Sequence, residues 1–104
     1  MYRASHILIS YQGAQRSTSQ RLQEEALFEA GRIQQEIANG NIKFEEAAQQ
    51  FSDCPSGKAN SGNLGVFVRQ TMDQDFIAYL ENLSVGEISG PCPTVYGYHL
   101  IRKN

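Results

Sequence analysis

Apolar and polar residues alternate from Tyr2 to Ser5 and lead into the aliphatic run Ile7-Leu8-Ile9, and together they predict a strand from Tyr2 to Ile9. Ala4, His6 and Leu8 fall on one face, and Ser5, Ile7 and Ile9 on the other. Aliphatic side chains on both faces place this strand inside a sheet rather than at its edge. The period then changes. After a polar run from Ser10 to Ser19, residues Leu22, Ala26, Ala30, Ile33 and Ile37 recur at helical spacing. They predict a long helix to about Asn39, with Gly40 suited to the turn that ends it. Ser17 and Gln20 have the form of a capping box, and Thr18 or Ser19 would serve as the cap equally well. Phe44, Ala47, Ala48 and Phe51 predict a shorter second helix from Phe44 to Phe51.

From Ser52 to Gly65 neither period is present. Gly57, Gly62 and Gly65 free the backbone to bend there, and Pro55 suits the first turn of a helical segment within Cys54 to Gly57. A short strand follows at Val66 to Arg69. Phe76, Ile77, Leu80 and Leu83 form the apolar stripe of a third main helix, Asp73 to Leu83, with Asp73 as its N-cap. Gly86 stops it. Ile88 to Thr94 is extended, and Pro91 and Pro93 confine it to an edge or an irregular strand. Tyr96-Gly97 turns the chain into a last strand, Tyr98 to Lys103. The final hairpin is antiparallel, so the order of elements predicts an α+β fold.

Composition narrows the functional classes. A chain of 104 residues is one domain, residues 1 to 104, with room for one core and not two. Its net charge of −2 gives no bulk electrostatic case for nucleic acid or an acidic membrane. No apolar run approaches a membrane span, and the start, Met1 to His6, lacks a signal-peptide core. With the unpaired Cys54 this favours a cytoplasmic protein, although a domain excised from a secreted or anchored chain would read the same way. Cys54, Cys92, His6 and His99 lack the close pairings of a zinc site, so neither metal nor cofactor is expected.

The chemistry-bearing residues are few. His6 and His99 lie on the first and last strands, and they meet if those strands pair at the sheet centre. Cys54, Ser56 and Thr94 are the other polar groups with apolar neighbours. Leu64, Met72 and Phe76 are the apolar residues nearest the Cys54 loop and suit a pocket wall. A Cys-His hydrolase needs a cation beside the thiol and an oxyanion hole, whereas Asp53 beside Cys54 disfavours a thiolate.

Beyond these readings, the chain resembles the parvulin-type peptidyl-prolyl cis/trans isomerases along nearly its whole length. The resemblance rests on ordered motifs. They are Ala4-Ser5-His6-Ile7-Leu8-Ile9, Glu25-Ala26, Phe44-Glu45-Glu46-Ala47-Ala48 and Phe51-Ser52-Asp53-Cys54. Further along come Gly62-Asn63-Leu64-Gly65-Val66-Phe67, Met72 with Phe76, Val85-Gly86-Glu87-Ile88-Ser89-Gly90-Pro91 and Thr94-Val95-Tyr96-Gly97-Tyr98-His99-Leu100-Ile101. It implies a four-stranded antiparallel sheet surrounded by about four helices. It also implies a central His6–His99 pair bonded to Thr94, with Cys54 and Ser56 beside it. Leu64, Met72 and Phe76 would then hold the proline ring, giving an enzyme that rotates X-Pro bonds and assists protein folding without a cofactor. The substrates implied are proline-containing polypeptides, acted on by a monomer.

Departures from the family pattern bear on specificity. One branch accepts only phosphorylated Ser/Thr-Pro and has several basic residues after the first strand. Here Ser10 stands where that branch has lysine, and Arg16 is the one charge before Arg21. A phosphate dianion wants several donors, so the reading is a phosphate-independent enzyme with Arg16 at the substrate site. Donors added by Arg21 or Arg69 would favour the phospho-directed alternative. Cys54-Pro55-Ser56-Gly57-Lys58 resembles the small stand-alone bacterial members. Ser61-Gly62-Asn63 replaces Gly-Gly-Asp, Gln70 a glycine, Asp75 a proline and Cys92 a valine. The remaining alternative is a chaperone-like peptide-binding domain with little isomerase activity.

Overall fold

The computed structural model describes residues 1–104. Its elements run β1 (Tyr2–Ile9), α1 (Gln23–Ala38), α2 (Phe44–Phe51), α3 (Pro55–Asn60) and β2 (Asn63–Phe67). A 3-10 turn (Arg69–Thr71), α4 (Gln74–Glu81), β3 (Cys92–Thr94) and β4 (Gly97–Lys103) complete the chain. The strands form one antiparallel sheet in the order β2-β1-β4-β3, so the first and last strands are the central pair.

Register explains the two-sided burial of β1. Ile7 lies opposite Leu100, and both point with Ile9 and Tyr98 into a cluster closed by Ala26, Ala30, Ile33, Phe44, Ala47 and Ala48. The residues one step along face the other way, because strand side chains alternate. There Ala4 and Ile101 pack with Phe76 and Leu80 of α4. The sheet therefore separates two apolar clusters, where one core was expected. Two are possible because the smaller has only four fully buried members and completes itself with half-buried Tyr2, Leu64, Met72 and Leu83.

Several boundaries differ from those the pattern predicts. Residues 17–22 are not helical. The Ser17 hydroxyl accepts the Ser19 N–H, a local turn that competes with capping. Leu22 is the N-cap instead, with Glu25 accepting its N–H at 2.8 Å, and it stands exposed rather than joining the apolar stripe. β2 begins at Asn63, ahead of the expected Val66, because Arg3 and Ser5 of β1 pair with Val66 and Asn63 across a bulge. α3 runs past one turn to Asn60. β3 is confined to three residues, since the extended stretch before it makes only an isolated bridge from Ile88 to Arg102. α4 is capped as expected: the Asp73 carboxylate accepts the N–H groups of Asp75 and Phe76.

Candidate active site

β1 and β4 place the histidines. Leu8 lies opposite His99 and His6 opposite Ile101, so His6 and His99 are diagonal neighbours on the α4 face of the sheet. Their rings stack at 5.2 Å between centroids, with the two Nδ1 atoms 3.0 Å apart. Phe76 meets both rings edge-on, at 5.7 and 5.4 Å. Only 5% of His6 and 4% of His99 is exposed. Burial pushes the His6 imidazole down to about 4. Burial, and then repulsion from His6, pushes His99 down to about 3. Both rings are neutral at ordinary pH.

One proton arrangement that satisfies every group of the neutral pair starts at Thr94. The Thr94 hydroxyl and His99 Nε2 are 2.7 Å apart, and the same hydroxyl oxygen accepts the Tyr96 N–H. The Thr94 O–H proton has His99 Nε2 as its acceptor. His99 Nδ1–H then donates to His6 Nδ1, which leaves the proton of His6 on Nε2, facing the Ser56 oxygen at 3.2 Å. Ser56 in turn donates to the Cys54 sulfur at 3.2 Å. Four successive donors thus run from Thr94 on the β3 edge to Cys54, and no buried side-chain polar atom is left without a partner. Cys54 reaches the histidines through Ser56 and not directly.

The segment carrying Cys54 is laced to β1. The Ser52 hydroxyl accepts the N–H groups of Leu8 and Cys54, Asp53 N–H donates to Leu8 O at 2.7 Å, and Ser10 N–H donates to the Asp53 carboxylate. Arg21 neutralises that carboxylate at 2.8 Å, and its guanidinium also reaches Ser10 O and Ser19 Oγ. Asp53, read from sequence as an anion facing the thiol, is therefore held in an ion pair. Close packing of α3 depends on two glycines. A Cβ on Gly57 would lie 2.4 Å from Ser52 Cβ, and one on Gly62 would lie 2.6 Å from His6 O.

These elements enclose a cleft of about 390 Å³, within the range of sites that hold small ligands or a few residues of a peptide. His6, His99, Cys54, Leu64, Met72, Phe76 and Arg16 all line it, while Ser56 and Thr94 stand behind and bond to the histidines. Leu64, Met72 and Phe76 supply the apolar wall. Arg16, at φ 60°, projects from the polar loop and takes part in no ion pair or side-chain hydrogen bond. The other arginines suggested as helpers are occupied: Arg21 by Asp53, and Arg69 by Glu81 and Tyr2. Sequence reading missed Ser52, Ser10 and the Arg21 clamp. Their partners lie far along the chain, and no spacing announces such pairs.

Residues 6–104 match the family model for the rotamase, or PPIC-type PPIase, domain. The chain belongs to the PPIC-type peptidyl-prolyl isomerase family. It is similar to the peptidyl-prolyl cis-trans isomerase Pin1 of Arabidopsis thaliana, at 36% identity over 97% of this chain and 92% of that protein. The chaperone SurA of Vibrio cholerae is 34% identical over 91% of this chain, which corresponds to 19% of SurA's own length. Among solved structures, the isomerase ESS1 from Candida albicans superposes with a TM-score of 0.92 at 28% identity, over 99% of this chain and 62% of that one. TbPIN1 superposes with a TM-score of 0.87 at 35% identity, over 98% and 95% of the two chains. The protein is a parvulin-type peptidyl-prolyl cis/trans isomerase with the expected α+β fold. As such it acts on proline-containing peptides and proteins. No helix of the isomerase is long and apolar enough to cross a membrane.

Proposed function

We propose that His6, Cys54, Ser56, Thr94 and His99 are the catalytic group of this isomerase, that Leu64, Met72 and Phe76 seat the proline ring, and that rotation proceeds without a covalent intermediate. The observation that carries the reading is the neutral donor chain ending at Cys54 beside an apolar wall. An X-Pro bond resists rotation by about 18–20 kcal/mol because of amide resonance. Rotation breaks no σ bond. In the twisted amide the nitrogen turns pyramidal and the carbonyl loses conjugation, so a site favouring that shape over both planar forms lowers the barrier. Each factor of ten in rate requires about 1.4 kcal/mol of such preference.

The donor direction assigns each group a part. Thr94 and His99 fix the tautomer of His6. His6 presents its Nε2–H to Ser56, and Ser56 spends its proton on the Cys54 sulfur. The Cys54 S–H is then left to turn into the cleft, where a substrate carbonyl lies beside it. In this arrangement His6 offers Ser56 an N–H rather than a lone pair and does not touch Cys54, so no base stands beside the thiol to take its proton, which favours a polarising role over attack.

The same reading makes the enzyme phosphate-independent, acting as a monomeric domain of residues 1–104 in the cytoplasm. Arg16 is the one cation at the cleft with no partner, and a phosphate dianion generally takes several charged donors. The test is a protease-coupled assay on one pair of Ser-Pro peptides, with and without phosphate, at several enzyme concentrations. Comparable kcat/KM for the two supports the reading. A large preference for the phosphorylated peptide replaces it with a phospho-directed enzyme, and binding without turnover of either replaces it with a chaperone-like domain.

A further inference from the structure

The Cys54 segment stands between two concavities. One is the cleft described above. The second lies on the outer side and is floored by Phe51 and Ala59, with Lys58 at its margin. Thr18, Asp53, Cys54 and Pro55 line both, so these four residues form the divide between them. A polypeptide seated with its proline in the cleft extends in both directions, because its X-Pro unit is only part of a longer chain. A chain leaving the cleft past Cys54 and Pro55 enters the second concavity directly.

The chemistry of this outer groove is specific in one respect. Arg21 and Asp53, its two other charged residues, neutralise each other at 2.8 Å. Lys58 is exposed and takes part in no ion pair or side-chain hydrogen bond. The groove therefore carries one uncompensated positive charge. Beside it Phe51 is half-buried, with the Arg32 guanidinium 5.4 Å from its ring centre, so the aromatic floor is held in place. A cation next to an apolar floor favours a carboxylate side chain with an aliphatic stem over a lysine or arginine in the same place.

We propose that this outer groove is an extended substrate subsite, in which Lys58 selects a glutamate or aspartate lying a few residues from the isomerised proline. The inference rests on the isomerase site proposed above and adds a second recognition point to it. Lys58 acts on binding and encounter, not on the reacting bond. It thus sets which prolines in a polypeptide are served first.

The experiment uses proline peptides of one background sequence carrying Glu, Ala or Lys in turn at each position on either side of the proline. Isomerisation is read by NMR exchange, and binding by amide shifts of Phe51, Lys58 and Ala59. At one position other than that directly preceding proline, the wild-type enzyme should favour Glu over Lys by about fivefold, the scale of one exposed ion pair gained against one repulsion. Lys58→Glu should reverse that ratio, and high salt should flatten it. A Glu-to-Lys ratio near one at all such positions, or one unchanged in Lys58→Glu, overturns the proposal. Failure to turn over any peptide overturns the isomerase site instead. The groove is then judged on the amide shifts: shifts that follow the Glu peptide and vanish in Lys58→Glu uphold it, and unmoved amides sink it.

Discussion

The Nδ1 atoms of His6 and His99 lie 3.0 Å apart inside the sheet, so one of the two must hold a proton and the other must lack it. Two protonated rings cannot occupy this arrangement, because both nitrogens would be donors. The folded protein therefore binds fewer protons here than the unfolded chain does. Stability is full above the ordinary histidine value of 6.5 and falls as pH drops towards about 4, where His6 titrates in the fold. Each histidine contributes a slope of up to about 1.4 kcal/mol per pH unit in that window. Urea unfolding followed from pH 7 to pH 5 should show a falling midpoint. A constant midpoint would contradict the neutral pair.

Thr94 anchors one end of the hydrogen-bonded chain. Replacing it with valine removes the donor to His99 Nε2 and the acceptor for Tyr96 N–H. A buried imidazole nitrogen left unpaired costs about 1–3 kcal/mol, and the denaturation midpoint should drop accordingly. Thr94→Ser keeps the hydroxyl and should recover most of the loss. If serine is as damaging as valine, packing of the methyl group and not the hydrogen bond is what matters.

Cys54 distinguishes polarisation from attack. Cys54→Ser keeps a small polar group that bonds Ser56 and should retain at least about a tenth of kcat/KM, a loss no larger than about 1.4 kcal/mol. Cys54→Asp keeps an acceptor for Ser56 but offers no donor to the substrate carbonyl, so it should fall below Cys54→Ser, while turnover retained by either variant excludes attack by the thiol. A trapped covalent adduct between Cys54 and a substrate, seen by mass spectrometry, would overturn the non-covalent mechanism.

Glycines separate by surroundings. Gly57→Ala forces a Cβ to 2.4 Å from Ser52 Cβ, and Gly62→Ala meets His6 O at 2.6 Å with φ at +84°. Each should destabilise the fold by on the order of 2 kcal/mol and displace Cys54. Gly31 sits within α1 with nothing within 4 Å of an added Cβ. Gly31→Ala should therefore stabilise by roughly 0.5–1 kcal/mol. Thermal melting of the three variants checks the contrast.

What the sequence made legible was local. The alternation Ala4-Ser5-His6-Ile7-Leu8-Ile9 puts His6 on a two-sided strand, and Asp73 before Phe76, Ile77 and Leu80 marks the start of α4. The family motifs added the company that His6 keeps. The partner of each strand is set by packing across the whole chain, so the diagonal placement of His6 and His99 cannot be read from either segment alone. Ser17 resembles a helix cap as closely as any residue here, yet its hydroxyl serves a turn with Ser19. Arg21 and Asp53 are 32 positions apart, and nothing in either neighbourhood foretells their contact. The same holds for the second apolar cluster, which depends on α4 crossing the face that α1 and α2 leave open.

The pairing of the first strand with the last has a consequence in time. His6 and His99 are separated by 93 positions, and the sheet centre exists only once both strands are available. During synthesis the early strand must wait, with its aliphatic faces uncovered, for almost the entire remainder to emerge. Long-range closure of this kind slows folding relative to helical proteins of similar length. A nascent chain stopped before His99 has neither the histidine pair nor a central strand partner. The catalyst of a slow folding step is thus itself assembled late, at the moment β1 and β4 are brought together.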